Sequence, residues 1–174
     1  MSSAFLKNET ADAPVVIPAR APLPPGATNY VTPHGLELLR SELSELEAEH
    51  ARIQTEAGEE NDRMRQLALL NGQLANLNQR IASAKVVDPV NQPHDEVRFG
   101  ATVTIRTIRG QTKRAERRFT IVGVDEADAS RGCIAFTAPI ARAMQGKRVG
   151  EEFPLRMAKG EDILAVIDIS YANG

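Results

Sequence analysis

Residues 53–67 read Ile53-Gln54-Thr55-Glu56-Ala57-Gly58-Glu59-Glu60-Asn61-Asp62-Arg63-Met64-Arg65-Gln66-Leu67, a polar interval between two apolar seams. Before it, Leu36, Leu39, Leu43, Leu46 and Ile53 recur in steps of three and four, with His50 at the remaining seam position. After it, Leu67, Leu70, Leu74, Leu77, Ile81 and Ala84 do the same. Each series is an a/d heptad seam and predicts a helix. The seams also pair antiparallel at one constant register. Positions 36 with 84, 39 with 81, 43 with 77, 46 with 74, 50 with 70 and 53 with 67 share a single midpoint, residue 60. One fold-back therefore buries both seams at once. Gly58 suits a left-handed helix end and Asn61 a helix cap, whereas one continuous helix would carry a Gly and an Asn at mid-span without reward. The expectation is a helical hairpin with its tip at 58–62 and arms of about 25 residues, roughly 37 Å at 1.5 Å per residue. His50 is expected at the edge of the seam rather than as a ligand, because no second His or Cys lies in position to help it.

On either side the chain changes character. Residues 1–30 contain Pro14, Pro18, Pro22, Pro24 and Pro25, which remove donors and fix φ. That predicts a disordered tail or a docking peptide. Hairpin residues 31–88 are followed by a linker at 89–95 with Pro89 and Pro93. From 96 to 174 the period becomes two, as in Val97, Phe99, Ala101, Val103 and Ile105, and strands are expected at 97–105, 117–124, 133–137, 151–157 and 162–171. A short helix from Pro139 to Met144 interrupts them, and a charged turn runs from Arg109 to Arg118. The fold class is α+β: an N-terminal antiparallel coiled-coil hairpin and a C-terminal β-rich half-barrel.

Bulk properties narrow the function. The 174 residues carry a net charge of −2, so no global field marks a nucleic-acid or membrane surface binder. No apolar run of about 18 residues reads as a membrane span, the N-terminus lacks a signal-peptide layout, and a cytoplasmic protein is expected. The single Cys133 cannot form an internal disulfide, and three scattered histidines make no zinc set. The charge is unevenly placed. Residues 34–88 hold ten acids and six bases, and residues 95–174 hold eleven acids and thirteen bases. Glu59, Glu60 and Asp62 crowd the tip, with Glu56 one turn below. Acids are ordinary at a solvated turn and favour a helix N-terminus. They are also the hard oxygen ligands Mg²⁺ prefers, and a narrow rod can carry them into a channel in another protein.

Several motifs resemble the GreA/GreB transcript-cleavage factors of bacteria. They are Thr32-Pro33-His34-Gly35-Leu36 with Leu39-Arg40-Ser41-Glu42-Leu43, then Ala84-Lys85-Val86-Val87-Asp88, Phe99-Gly100-Ala101-Thr102-Val103, Ile121 to Asp128, Ala138-Pro139-Ile140-Ala141-Arg142-Ala143-Met144, and Val149-Gly150-Glu151. The resemblance spans about residues 31–171. It implies an FKBP-like C-terminal domain and a monomeric factor, not itself an enzyme, that binds RNA polymerase at the rim of its secondary channel, close to the nascent RNA and DNA. It further implies docking through Asp125, Glu126, Pro139, Ile140, Ala141 and Arg142. The hairpin would bring Glu59, Glu60 and Asp62 toward the active site, where Glu59 and Glu60 would share Mg²⁺ with the polymerase to help cut backtracked RNA; no cofactor of the chain's own is implied. The tip departs from the family's approximate G-D-x-x-E-N-x-E/D-Y: Gly58 to Met64 loses the spacing between the first two acids and the final Tyr, and each arm is about a turn shorter. Regulation by channel occupancy without cleavage, or interaction independent of polymerase, are the alternatives. Peptidyl-prolyl isomerase activity is not expected, because Phe99, Phe119, Phe136, Phe153 and Tyr171 fit core positions.

Overall fold

The computed structural model describes residues 13–111 and 115–172, which form two compact units. One comprises the chain up to Arg20 together with Leu39–Ala82, and the other comprises Ala21–Leu38 together with the chain from Ser83 onward.

The first unit is the hairpin. Helix α1 (Pro33–Thr55) and helix α2 (Glu60–Ala82) each have 23 residues, and only residues 56–59 join them. At 1.5 Å per residue each helix is about 34 Å long. Leu39, Ile53, Leu70 and Leu77 are buried, and Leu43, Leu46, His50, Leu67, Leu74 and Ile81 are half-buried between exposed flanks. The heptad positions are thus the protected stripe of both helices, as a hairpin seam requires. Three details differ from expectation. Asn61 lies inside the first turn of α2, and Glu59 precedes the helix, its carbonyl accepting the Arg63 amide at 3.1 Å. Gly58 is absent from the left-handed glycines, so the turn is made without that conformation. Helix α2 stops at Ala82, and Ala84, the last seam position, belongs to a strand.

A fourth difference is larger. Residues 13–30 do not form a featureless tail. Ile17 packs against Gly72, where a Cβ would overlap the Ile17 Cδ1, and Arg20 makes a two-pronged ion pair with Glu42 at 2.7 and 3.0 Å. A glycine in mid-helix costs about 1 kcal/mol relative to alanine. Here it makes room for the isoleucine side chain.

In the second unit, strand β1 (Asn29–Val31) runs parallel to β2 (Ala84–Val86), with Val31 opposite Val86. This pair occupies part of the expected tail and the expected end of the hairpin. The buried Asn29 side chain donates to Ser83 Oγ at 3.1 Å. A single 3-10 turn, Pro89–Asn91, follows, capped by Asp88, within the linker predicted from its prolines.

Strands β3 (Ala101–Arg109), β4 (Glu116–Val122), β5 (Cys133–Ala135), β6 (Glu152–Met157) and β7 (Gly160–Tyr171) form one sheet in the order β5-β4-β3-β7-β6. The β4–β5 pair is parallel and the rest are antiparallel. Ala101, Val103, Ile105 and Thr107 of β3 face inward, one residue in two, and meet Ile121, Phe153, Leu164 and Val166 in the core. Helix α3 (Pro139–Met144) adds Ala141 and Met144. The period-two pattern began at Val97, yet β3 begins at Ala101. Val97 instead exchanges backbone hydrogen bonds with Gly146 and Lys147, at 2.8 Å each, and a turn at Gly100 (φ 87°) separates it from the strand. Phe153 is fully buried, and Phe99, Phe119, Phe136 and Tyr171 are partly buried against the same core. Among the described residues no helix is long and apolar enough to cross a membrane.

Candidate functional site

Two places carry the residues singled out in the sequence: the turn of the hairpin and the loop between β4 and β5. At the turn, Glu56, Glu59, Glu60 and Asp62 are all exposed. Glu56 is held by Arg52 at 2.8 Å, and Arg52 also grips Glu49. That bond lowers the Glu49 carboxyl below the usual carboxylate range and raises the Arg52 guanidinium. Glu60 and Asp62 lie in the first turn of α2, where the helix dipole favours negative charge. Adjacent positions at a helix start diverge by roughly 100°, whereas positions three apart share a face. Glu60 and Asp62, two apart in the first turn, thus point to different sides of α2, and Glu59 lies before the helix. Met64, 61% exposed, stands one turn further along α2. Among the described residues no group of three or more His, Cys, Asp or Glu side chains is arranged to hold a metal ion. The tip is a cluster of exposed charge.

The second place is built from the start of α1. Thr32 caps that helix: its hydroxyl accepts the Gly35 amide at 2.9 Å and donates to Glu126 Oε2 at 2.6 Å. A Cβ on Gly35 would lie 2.7 Å from the same carboxylate oxygen. The Thr-x-x-Gly spacing thus has a mechanical cause: the threonine caps, and the glycine leaves room for the glutamate. Gly123 is likewise pinned, because a Cβ there would come within 2.6 Å of the Tyr30 carbonyl oxygen. The Glu126 carboxylate holds the entry to α1. The loop encloses a cavity of about 510 Å³ whose lining includes His34, Asp125, Glu126, Asp128, Arg131 and Cys133. Burial pushes the Cys133 thiol above its ordinary value, and the charge of Glu126 adds to the shift. Asp128 is held below the usual carboxylate range by the Ser130 hydroxyl at 2.6 Å.

The other docking positions lie on α3. Pro139 and Arg142 are exposed, and Ile140 is half-buried. Ala141 is only 3% exposed and belongs to the core, so it serves the fold and is withdrawn as a contact residue. Ala141 also borders a separate hollow of about 280 Å³, lined by Tyr30, Phe99 and Phe136, whose rings pack at 5.5–5.8 Å between centroids. Asp125 and Glu126 are thus brought together with His34 and Cys133, and Ala141 lines a different hollow. Sequence reading missed Thr32 as a cap and His34 and Cys133 as cavity walls. The first was recoverable from Thr32-Pro33-His34-Gly35; the others have no local signal, since β5 brings Cys133 in from about a hundred residues away.

The chain thus carries a helical hairpin with an acidic turn and a unit with a five-stranded sheet. Residues 92–171 match the family model described as "Transcription elongation factor, GreA/GreB, C-term". The chain is 31% identical over 153 residues to the transcription elongation factor GreA of Nitratiruptor sp., covering 81% of this chain and 92% of that one. It is 32% identical over 161 residues to the GreB of Xanthomonas axonopodis pv. citri, covering 84% and 94%. A GreA/GreB structure from Nitrosomonas europaea aligns at 21% identity and a TM-score of 0.40, covering 83% of this chain and 99% of that one. The chain belongs to the GreA/GreB family of transcription elongation factors.

Proposed function

We propose that the protein binds RNA polymerase and regulates elongation through the secondary channel. The β-rich unit docks at the channel rim, through Asp125, Pro139, Ile140 and Arg142 with Glu126 supporting them, and the hairpin carries Glu59, Glu60 and Asp62 inward. Beyond family membership, one observation carries this reading: three exposed carboxylates gather at the turn of a hairpin whose helices are each 23 residues long. A two-helix rod with charge concentrated at its end is suited to delivering that charge into a confined site, where low dielectric strengthens it. Pull-down with core RNA polymerase tests the binding. A stable complex is expected, and none at micromolar protein would refute the reading.

Whether the tip stimulates cleavage or only occupies the channel is a second question. Occupancy is favoured by the compressed acids, since Glu59 and Glu60 are adjacent and the turn makes no metal site of its own. Misplacement by about 1 Å can cost on the order of 100-fold in rate. Sharing of Mg²⁺ through Glu59 and Glu60 is thus the reading under test. Backtracked complexes incubated with Mg²⁺ and the protein separate the two: shortened transcripts that disappear with Glu59→Ala/Glu60→Ala would establish cleavage.

A further inference from the structure

The segment Pro14–Arg20 lies along the hairpin, and nothing in the reading above uses it. Its two anchors are mutually consistent. Ile17 enters the notch at Gly72, and Arg20, three residues on, grips Glu42. Three extended residues span about 10 Å. That reach lets the segment touch both helices of the hairpin, Gly72 of α2 through Ile17 and Glu42 of α1 through Arg20. Its seat is shallow. Val16 is 81% exposed, Ile17 is itself 38% exposed, and Pro14 and Pro18 have no amide to donate. The notch lies twelve residues from the start of α2, about 18 Å from the turn.

We propose that Pro14–Arg20 is a releasable strap that limits entry of the hairpin into its receiving channel. The inference rests on the polymerase reading above. Closed, the strap adds a third chain to the two-helix cross-section at mid-length; open, it leaves the rod bare. Gly72 is the receptor for its knob, and the Arg20–Glu42 pair is its latch. The apparent affinity of a protein whose binding-competent state is partly populated falls by the populated fraction, so a strap closed nine-tenths of the time weakens binding about tenfold.

The test measures affinity for core RNA polymerase with three full-length proteins: the natural chain, Ile17→Ser/Arg20→Ser, and Arg20→Cys/Glu42→Cys joined by a short bis-maleimide in a Cys133→Ser background. Amide hydrogen exchange over residues 13–22 reports whether the strap is closed. The released variant is expected to lose protection there and bind about tenfold more tightly, and the cross-linked one to bind more weakly than the natural chain. Released protein that binds no tighter, or a natural chain without protection over 13–22, overturns the strap and leaves the polymerase reading standing. Failure of all three proteins to bind overturns the polymerase reading, and the strap falls with it.

Discussion

Thr32, Gly35 and Glu126 show how much a short motif can hold. One hydroxyl caps α1 and binds Glu126, and one missing methyl gives the carboxylate its place. Thr32→Ala should cost about 1 kcal/mol through the lost cap, read by urea unfolding. An unchanged midpoint would show that the cap contributes nothing. The same carboxylate acts on Cys133. With the thiol held above its ordinary value by burial and then by Glu126, less thiolate is present at pH 8 than in an unshifted cysteine. Alkylation by iodoacetamide should therefore be slow, and Glu126→Gln, which removes the charge, should speed it. A rate no faster in Glu126→Gln would remove Glu126 as a cause. The resemblance singled out Glu126 for docking, but its work inside the molecule was not legible in the sequence. That depends on a contact across 94 positions, which no local pattern encodes.

At the scale of elements, the hairpin was the most legible part, because a heptad seam is a local, periodic signal. The common midpoint of the seam pairs put the tip at 58–62, whereas the helices are joined by residues 56–59 and residues 60–62 already belong to α2. The ends of the hairpin were misjudged. Apolar spacing continues through Ala84, but β1 captures Ala84–Val86 by backbone pairing, which side-chain patterns do not reveal. Val97 and Phe99 misled for the same reason, since their alternation fits a strand while the Val97 backbone is engaged by residues 146–147. Gly72, a glycine inside α2, is filled by Ile17. Without that partner the glycine should be a defect. In an Ile17→Ala background, Gly72→Ala should stabilise the protein by about 1 kcal/mol from helix propensity. With Ile17 in place the gain should vanish, because the new methyl displaces the knob. A double-mutant cycle by thermal unfolding measures the coupling; simple additivity would mean that Ile17 and Gly72 do not interact.

Over the whole molecule, a chain of the GreA/GreB family is built from a helical hairpin and a five-stranded sheet. What the sequence could not settle is the work of the tip. Its acids are visible, but on the proposed reading their usefulness depends on a geometry completed by another protein. The central claim is that the protein engages RNA polymerase and acts through those acids. The most direct measurement follows complex formation and transcript length together, in elongation complexes supplied with nucleotides and given either the natural protein or Glu59→Ala/Glu60→Ala/Asp62→Ala. The account predicts that both proteins bind and that only the one with its acids changes the transcripts. Failure of the natural protein to bind, or identical transcripts with both proteins, would contradict it.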